Sequence, residues 1–309
     1  MFFGYHLPNF TFPGSRPDEL FDRFAELAVT AEQAGFDMVT VMDHVYQIPG
    51  IGPETEPMLE AYTTLGALAA RTSRVLLGTL VTGVTYRNPA LLVKQVTTLD
   101  TISRGRAILG IGAAWNEEEH RGYGFEFPPI RERMDRLEEA LAIARLMFTG
   151  DGPSYEGAHY RIEDALNVPR PIQPGGPKIL VGGGGEQRTI KIAAKYADIT
   201  NWFGPVDVMR HKHEVLLRHC DTVGRDPETI RRTVTIPLLL AETEGEAKAA
   251  LETIIPARRP LSPAGRPEMA AEYVRAYVDA GFDSFVFRTV MPTTPQAIRL
   301  AAEVAQLLQ

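Results

Sequence analysis

The chain has 309 residues, of which 44% are hydrophobic and 23% charged, and its formal net charge at pH 7 is −7. This composition predicts a globular protein with a large core, and the interspersed acids and bases, without a basic stripe, argue against a nucleic-acid partner. No apolar run approaches the roughly 20 residues of a membrane span, no signal peptide is evident, and the single cysteine, Cys220, argues against a disulfide or metal site. We therefore expect a cytoplasmic protein.

Apolar runs and helical periodicities alternate along the whole chain. The predicted strands are 2–7, 38–42, 75–80, 107–112, 179–181, 198–201, 233–240 and 284–287. The predicted helices are 16–34, 59–71, 89–103, 131–148, 186–196, 206–223, 244–254, 268–280 and 295–308. Proline- and glycine-rich stretches at 150–177 and 255–267 interrupt this rhythm, and the first contains an alternating segment that predicts a small hairpin.

Strands that alternate with helices indicate parallel strands joined by crossover helices. Eight such units in this length favour an α/β protein with a closed (β/α)8 TIM barrel, built as one domain over 1–309 with loop insertions at 150–177 and 255–267. A doubly wound open sheet is the alternative. The absence of G-x-G-x-x-G after the first strand argues against the nucleotide-binding version of that sheet.

Polar and aromatic residues follow the predicted strands, at the end of a barrel where ligands bind. Asp43 and His44 end a buried apolar strand, where two polar groups do not suit a core. The other candidates, which we assign to a substrate pocket, are His6, Trp115, Glu117, Trp202 and Arg288. Each also has a structural explanation, such as a loop hydrogen bond, rim packing or an ion pair. Together they suggest a pocket for a flat aromatic ligand with a polar edge.

Four consecutive glycines, Gly182, Gly183, Gly184 and Gly185, lie between a predicted strand and a predicted helix. Glycines allow backbone amides to approach a ligand closely, and a helix N-terminus attracts anions. This pattern favours a phosphate site, with Arg188 and Lys191 as sources of positive charge. A permissive strand-to-helix turn is the alternative.

Five segments, in order along the chain, resemble the luciferase-like monooxygenase superfamily. They are 34–44, 77–90, 105–117, 181–184 and 280–283. The Asp43-His44 pair is most similar to the members that use the deazaflavin coenzyme F420 rather than FMN. The resemblance implies a barrel, usually a homodimer, that binds the tricyclic ring of the cofactor in its mouth.

The resemblance also implies roles for individual residues. It places Asp43 and Asn116 at the polar edge of the ring, and Gly182 to Gly185 at the phosphate tail. It places a non-proline cis peptide at Leu80-Val81, under one face of the ring. His44 falls beside the reactive carbon, where a histidine, which titrates near neutral pH, can act as acid or base.

The function that follows is F420-dependent hydride transfer between C5 of the cofactor and a small organic substrate. One alternative is an FMN-dependent monooxygenase that uses oxygen and takes reduced flavin from a separate partner reductase. A second is a non-catalytic F420-binding protein. Members that oxidise sugar phosphates carry a carboxylate where this chain has Ala113 and a tryptophan where it has Ile48. These departures argue against sugar-phosphate oxidation and make reduction of an activated double bond, imine or carbonyl at least as good an expectation.

Overall fold

The computed structural model describes residues 1–252, 261–290 and 293–309. Eight parallel strands form its centre, each paired with the next around a circle. These strands are β1 (Phe2–Leu7), β2 (Met38–Val41), β3 (Leu76–Thr79), β5 (Ala107–Gly112), β8 (Lys178–Gly182), β9 (Ile199–Trp202), β10 (Arg231–Leu240) and β12 (Ser284–Thr289). Two-residue strands β4 (Thr82–Gly83) and β11 (Ala264–Gly265) pair with β5 and β10.

Closure of the barrel is established by β1, which pairs with β2 on one side and with β12 on the other. Gly4, for example, lies beside Met38 of β2 and Val286 of β12. The predicted TIM barrel is therefore confirmed, and the open sheet is wrong, because an open sheet would leave two free edges.

Ten α-helices surround the barrel in the described part of the chain. They are α1 (Leu20–Gln33), α2 (Ala61–Arg71), α3 (Pro89–Ser103), α4 (Glu117–Tyr123), α5 (Ile130–Thr149), α6 (Thr189–Tyr196), α7 (Val206–Val223), α8 (Glu244–Glu252), α9 (Pro267–Asp279) and α10 (Pro295–Leu308). None of them is long and apolar enough to span a membrane. The sequence predicted all of them except α4, and the predicted end of α8 at residue 254 lies outside the described residues.

Local signals explain where the helices begin. The side chain of Asn88 accepts hydrogen bonds from the backbone N–H groups of Ala90 and Leu91, and Pro89 occupies the first turn of α3. This cap satisfies amide groups that the helix itself leaves unpaired.

The predicted hairpin within 150–177 is also present, as β6 (Tyr155–Glu156) paired with β7 (Arg161–Ile162). Residues 255–260 of the second predicted insertion, 255–267, lie outside the described residues.

The core has two layers because successive strand residues point to opposite sides. A small cluster of Met38, Ile108, Leu180, Ile199 and Val286 packs together, and a much larger cluster joins strands to helices. The rigid barrel holds the carboxyl ends of all eight strands at one end, and the functional side chains discussed next are placed there.

Candidate active site

A cavity of about 380 Å³ opens at the carboxyl end of the barrel. Residues at or just after the carboxyl ends of β2, β3, β5, β8 and β9 line it, and α5 and α6 close one side. The lining comprises Asp43, His44, Leu80, Val81, Thr82, Gly83, Tyr86, Gly112, Ala113, Ala114, Trp115, Ile130, Met134, Gly182, Gly183, Thr189 and Asn201. We call it the main cavity.

The peptide bond between Leu80 and Val81 is cis, as the family resemblance predicted. The side chain of Val81 lies between two glycines at the ends of neighbouring strands. A Cβ atom would lie 2.9 Å from Val81 Cγ2 at Gly112, and 2.8 Å from Val81 Cγ1 at Gly182. Both distances are shorter than any ordinary carbon contact, so these two positions need glycine because Val81 fills the space. The apolar pair Leu80 and Val81 forms one wall of the cavity.

Asp43 lies in the main cavity, but an arginine engages its carboxylate. Arg87 donates from Nη1 and Nη2 to the two oxygens of Asp43, at 2.6 and 2.9 Å, and also donates to Glu60. Burial raises the pKa of Asp43, while the guanidinium opposes that rise through its charge and two hydrogen bonds. Arg87, which was not among the predicted site residues, fixes the carboxylate in one orientation.

His44 is held by a buried carboxylate. Its Nδ1 lies 2.6 Å from Glu119 Oε2, and the side chain of Glu119 is fully buried while that of His44 is 13% exposed. The ring of His44 also meets the ring of Trp115 edge-on, with 5.6 Å between the centroids. Because Glu119 occupies Nδ1, Nε2 is the ring nitrogen available to a ligand.

Glu119 accepts four hydrogen bonds in total. The backbone N–H groups of Val45 and Tyr46 donate to Oε1, at 2.6 and 3.0 Å, and the hydroxyl of Tyr86 donates to Oε2 at 3.0 Å. Burial alone would raise the pKa of Glu119, but the hydrogen bonds from His44, Tyr46 and Val45 outweigh it and lower that pKa below its ordinary value. Glu119 is therefore a carboxylate.

Sequence reasoning missed Glu119 because it missed the short helix α4 that carries it. The signal was present: three consecutive acids follow Asn116, a residue type that commonly caps helices. Two of those acids, Glu117 and Glu118, are exposed, and only the third is buried. The helix turns Glu119 toward the barrel, where it meets its donors.

Asn116 and Glu117 do not line the main cavity. Asn116 is the N-cap of α4, and its side-chain oxygen accepts a hydrogen bond from the backbone N–H of Glu118 at 3.2 Å. It borders a separate cavity beside the loop after β2. The predicted contact of Asn116 with the cofactor ring stays a prediction, and Glu117, the expected substrate-pocket residue, has an exposed side chain outside the main cavity.

A second cavity of about 320 Å³ adjoins the first and shares His44, Leu80, Trp115 and Asn201 with it. The remaining lining residues are His6, Pro8, Met42, Ile48, Pro49, Ile51, Phe203, Thr235 and Arg288. We call it the second cavity. It brings together three of the predicted substrate-pocket residues: His6, Trp115 and Arg288.

His6 is a neutral group in this cavity. Burial, together with the positive charge of Arg288, lowers the pKa of His6 to about 3. Its Nδ1 lies 3.0 Å from the hydroxyl oxygen of Thr40. The amide of Asn201 is also fixed, because it donates to Thr233 and accepts from Thr235. Hydrogen bonds to neighbouring residues thus hold the side chains of His6 and Asn201 in place.

The two tryptophans have opposite roles. Trp115 is 58% exposed and borders both cavities. Trp202 is 2% exposed, belongs to the hydrophobic core and packs edge-on against Phe282. The expected pocket position of Trp202 is wrong, because β9 extends through this residue. Since Asn201 faces the cavities, its neighbour on the strand must face the other way.

The glycine run is only partly in the cavity. Gly182 and Gly183 line it, together with Thr189 at the start of α6. Gly183 has a φ of +114°, which favours glycine. Gly184 and Gly185 lie outside the lining, and a Cβ atom at Gly184 would meet the side chain of Lys212.

The cation at this turn is also not the predicted one. Lys212 of α7 donates from Nζ to the carbonyl oxygen of Gly184, at 2.6 Å. Arg188 instead pairs with Asp135 of α5, at 2.6 Å, and Lys191 is exposed. Of the two predicted sources of charge, neither lines the main cavity.

An apolar wall, an edge of fixed polar groups and a glycine-lined end beside a helix N-terminus suit a flat cofactor with an anionic tail. The class is therefore a barrel protein with a cofactor-type pocket at its mouth. The model of the luciferase-like monooxygenase family matches residues 1–284, and the chain belongs to this family.

Relatives and solved structures extend this result. The chain is 31% identical to an F420-dependent glucose-6-phosphate dehydrogenase of Kineococcus radiotolerans, over 93% of each chain. Its fold is similar to that of an F420-dependent secondary alcohol dehydrogenase in complex with an F420-acetone adduct (TM-score 0.85, 19% identity, 100% and 99% of the two chains). It is equally similar to EDTA monooxygenase from Chelativorans sp. BNC1 (TM-score 0.86, 17% identity, 100% and 93%).

Proposed function

We propose that this protein is an F420-dependent oxidoreductase that transfers hydride between the cofactor and a small carbonyl or alcohol substrate, with His44 as the acid–base group. The observation that carries the proposal is the position of His44, which lines both cavities and is tied to a buried carboxylate. The choice of F420 is supported by the curated relative that the chain matches over 93% of its length.

The residues of the main cavity fit such a cofactor. Leu80 and Val81 offer an apolar surface for a flat ring, Asp43 and Arg87 offer a fixed polar edge, and Gly183 lies where the anionic tail would approach α6. When bound, F420 supplies a carbon that accepts or donates a hydride, and the protein supplies orientation and proton transfer.

The proton is handled by His44. In alcohol oxidation, the hydroxyl proton passes to Nε2 as the carbinol C–H leaves as hydride. In ketone reduction, the protonated ring donates its Nε2 proton to the oxygen of the carbon that receives hydride, and returns to the neutral form. Either direction needs one proton at one nitrogen, and Nε2 is the nitrogen not already bonded to Glu119. General acid–base catalysis of this kind contributes about 10²–10⁴-fold to rate.

The second cavity argues for an apolar substrate with one oxygen. Its described lining residues include no acid, their one arginine is Arg288, and most of them are apolar. A sugar phosphate presents several hydroxyl donors, and each one that is buried needs an acceptor. Carboxylates are the strong acceptors for such donors, and they are missing from this lining. A ketone or enone needs only a donor, which the protonated ring of His44 provides.

Apoprotein titrated with F420 and with FMN, followed by fluorescence and absorbance, tests the cofactor. We expect F420 to bind at least tenfold more tightly. Anaerobic assays with reduced F420 and cyclohexanone or 2-cyclohexen-1-one, and with oxidised F420 and 2-propanol or glucose 6-phosphate, test the reaction. The proposal fails if FMN binds more tightly, or if glucose 6-phosphate is the best substrate.

The FMN monooxygenase is the second candidate, because the fold is equally close to that of EDTA monooxygenase. It would require reduced flavin from a reductase partner, and its turnover would stop without oxygen. The non-catalytic alternative predicts tight F420 binding without turnover of any compound in the panel. We also propose that the protein is a homodimer, which light scattering on the purified chain tests.

A further inference from the structure

Glu119 is the most fully engaged carboxylate at the barrel mouth. Its donors come from three different parts of the chain: the loop after β2, Tyr86 after β4, and the ring of His44. Backbone N–H groups can only donate, so Oε1 must accept from both Val45 and Tyr46. The arrangement at Oε1 is therefore independent of any choice of tautomer.

The other carboxylate oxygen of Glu119, Oε2, determines which ring nitrogen of His44 carries the hydrogen. Oε2 meets His44 Nδ1 at 2.6 Å and the Tyr86 hydroxyl at 3.0 Å. Burial, with the charge of Glu119 adding to it, raises the pKa of Tyr86, so its hydroxyl keeps its proton and donates. A carboxylate has no proton to give, and Nδ1 must therefore carry the hydrogen in the neutral ring.

We propose that Glu119 is a positioning residue that fixes the Nδ1–H tautomer of His44 and so presents the lone pair of Nε2 to the substrate. The inference rests on the proposed function for its kinetic consequence, but the tautomer itself requires neither cofactor nor substrate. By the same contacts Glu119 holds the loop that begins at Val45 against α4, and residues of this loop line the second cavity. The carboxylate of Glu119 thus fixes both the tautomer of His44 and the position of the loop that forms one wall of the second cavity.

We expect the substitution Glu119→Gln to move the hydrogen of the neutral His44 ring from Nδ1 to Nε2. The carboxamide oxygen must remain at Val45 and Tyr46, because those N–H groups require an acceptor. The NH2 group, which only donates, then faces His44, and Nδ1 can only accept. The neutral ring is forced to carry its hydrogen on Nε2, where the lone pair was needed.

The test is the nitrogen-15 NMR spectrum of the histidine rings of the apoprotein. Signals of His44 are identified by their loss in His44→Gln. We expect the Nδ1–H tautomer in the wild type and the Nε2–H tautomer in Glu119→Gln. The matched control is Glu118→Gln, the exposed neighbour on α4, which leaves the spectrum unchanged. A wild-type ring in the Nε2–H form overturns the proposal, even if the variant does not fold.

Kinetics give the second readout. With the panel compound that the wild type turns over fastest, Glu119→Gln lowers kcat by about 10²-fold or more, while KM and F420 affinity change by less than about threefold.

The outcomes separate the two proposals. If Glu119→Gln keeps kcat within twofold of the wild type, the positioning role is overturned while the proposed function stands. If no compound is turned over by the wild type, the proposed function fails, and the tautomer measurement still decides whether Glu119 sets the state of His44.

Discussion

The substitution Gly182→Ala tests whether Val81 is the support of the main cavity. An added Cβ would lie 2.8 Å from Val81 Cγ1, whereas ordinary contacts begin near 3.4 Å, so one atom must move by about 0.6 Å. Gly182 does not have a positive φ, and alanine is therefore compatible with its backbone. Any effect of the substitution therefore reports the contact between the added Cβ and Val81.

Overpacking of this kind costs about 1–3 kcal/mol. If Val81 cannot move, the cost appears as lost stability. With an unfolding entropy of roughly 2 cal/mol/K per residue, a chain of 309 residues loses about 1.5–5 °C of Tm. If Val81 moves into the cavity instead, the cofactor must displace it, and Kd for F420 rises about 5- to 150-fold.

Differential scanning fluorimetry and F420 titration of the same samples measure both effects. The control is Gly66→Ala in α2, where the added Cβ would meet nothing within 4 Å and removal of a helix glycine should stabilise by about 0.5–1 kcal/mol. A Gly182→Ala protein with wild-type Tm and wild-type Kd would show that Val81 does not limit the space at this position, because the overpacking would then lower neither stability nor F420 affinity.

Three further predictions follow from the site. His44→Gln should lower kcat by about 10²–10⁴-fold and leave F420 binding within about threefold, as measured by steady-state kinetics and titration; full turnover would remove His44 from the mechanism. The unfolded-state pKa of His6 is near 6.5 and its folded pKa is about 3, so only the unfolded state binds the proton between those values, and stability is lost as pH falls through that window. Between pH 6.5 and 4.5 the loss should be about 2–3 kcal/mol, and urea unfolding of His6→Asn should lack this part of the decline; an identical decline in both proteins contradicts the assignment. Trp202→Ala should cost about 3–5 kcal/mol of stability, whereas Trp115→Ala should change KM with little change in Tm; the reverse pattern would mean that the two side chains have been assigned to the wrong places.

The fold was predictable because its signals are repetitive. Each β/α unit pairs an apolar strand with a helix of clear periodicity, and a cap such as Asn88 marks where a helix begins. The helix α4 has a cap at Asn116 but lacks the apolar periodicity: it has seven residues, five of them charged or histidine, and a sequence of this kind resembles a loop. The family resemblance, and not local pattern, located the cis bond at Leu80-Val81.

The site was predictable in position but not in detail. Strand ends identified His6, Asp43 and His44, because strand ends are where barrels bind ligands. The strand 198–201 was predicted to end one residue too early, and this placed Trp202 in the pocket rather than in the core. The partners Arg87 and Glu119 could not be inferred, because both act through contacts between segments that are distant in the chain.

Direct hydride transfer between the deazaflavin and carbon, without oxygen, is the reaction that we propose for this protein. It is tested with reduced F420 labelled with deuterium at C5, incubated anaerobically with this protein and a carbonyl compound from the panel. We expect a product with deuterium bound to carbon, at up to one atom per molecule turned over. A product without deuterium, or turnover only with reduced FMN and oxygen, would contradict it.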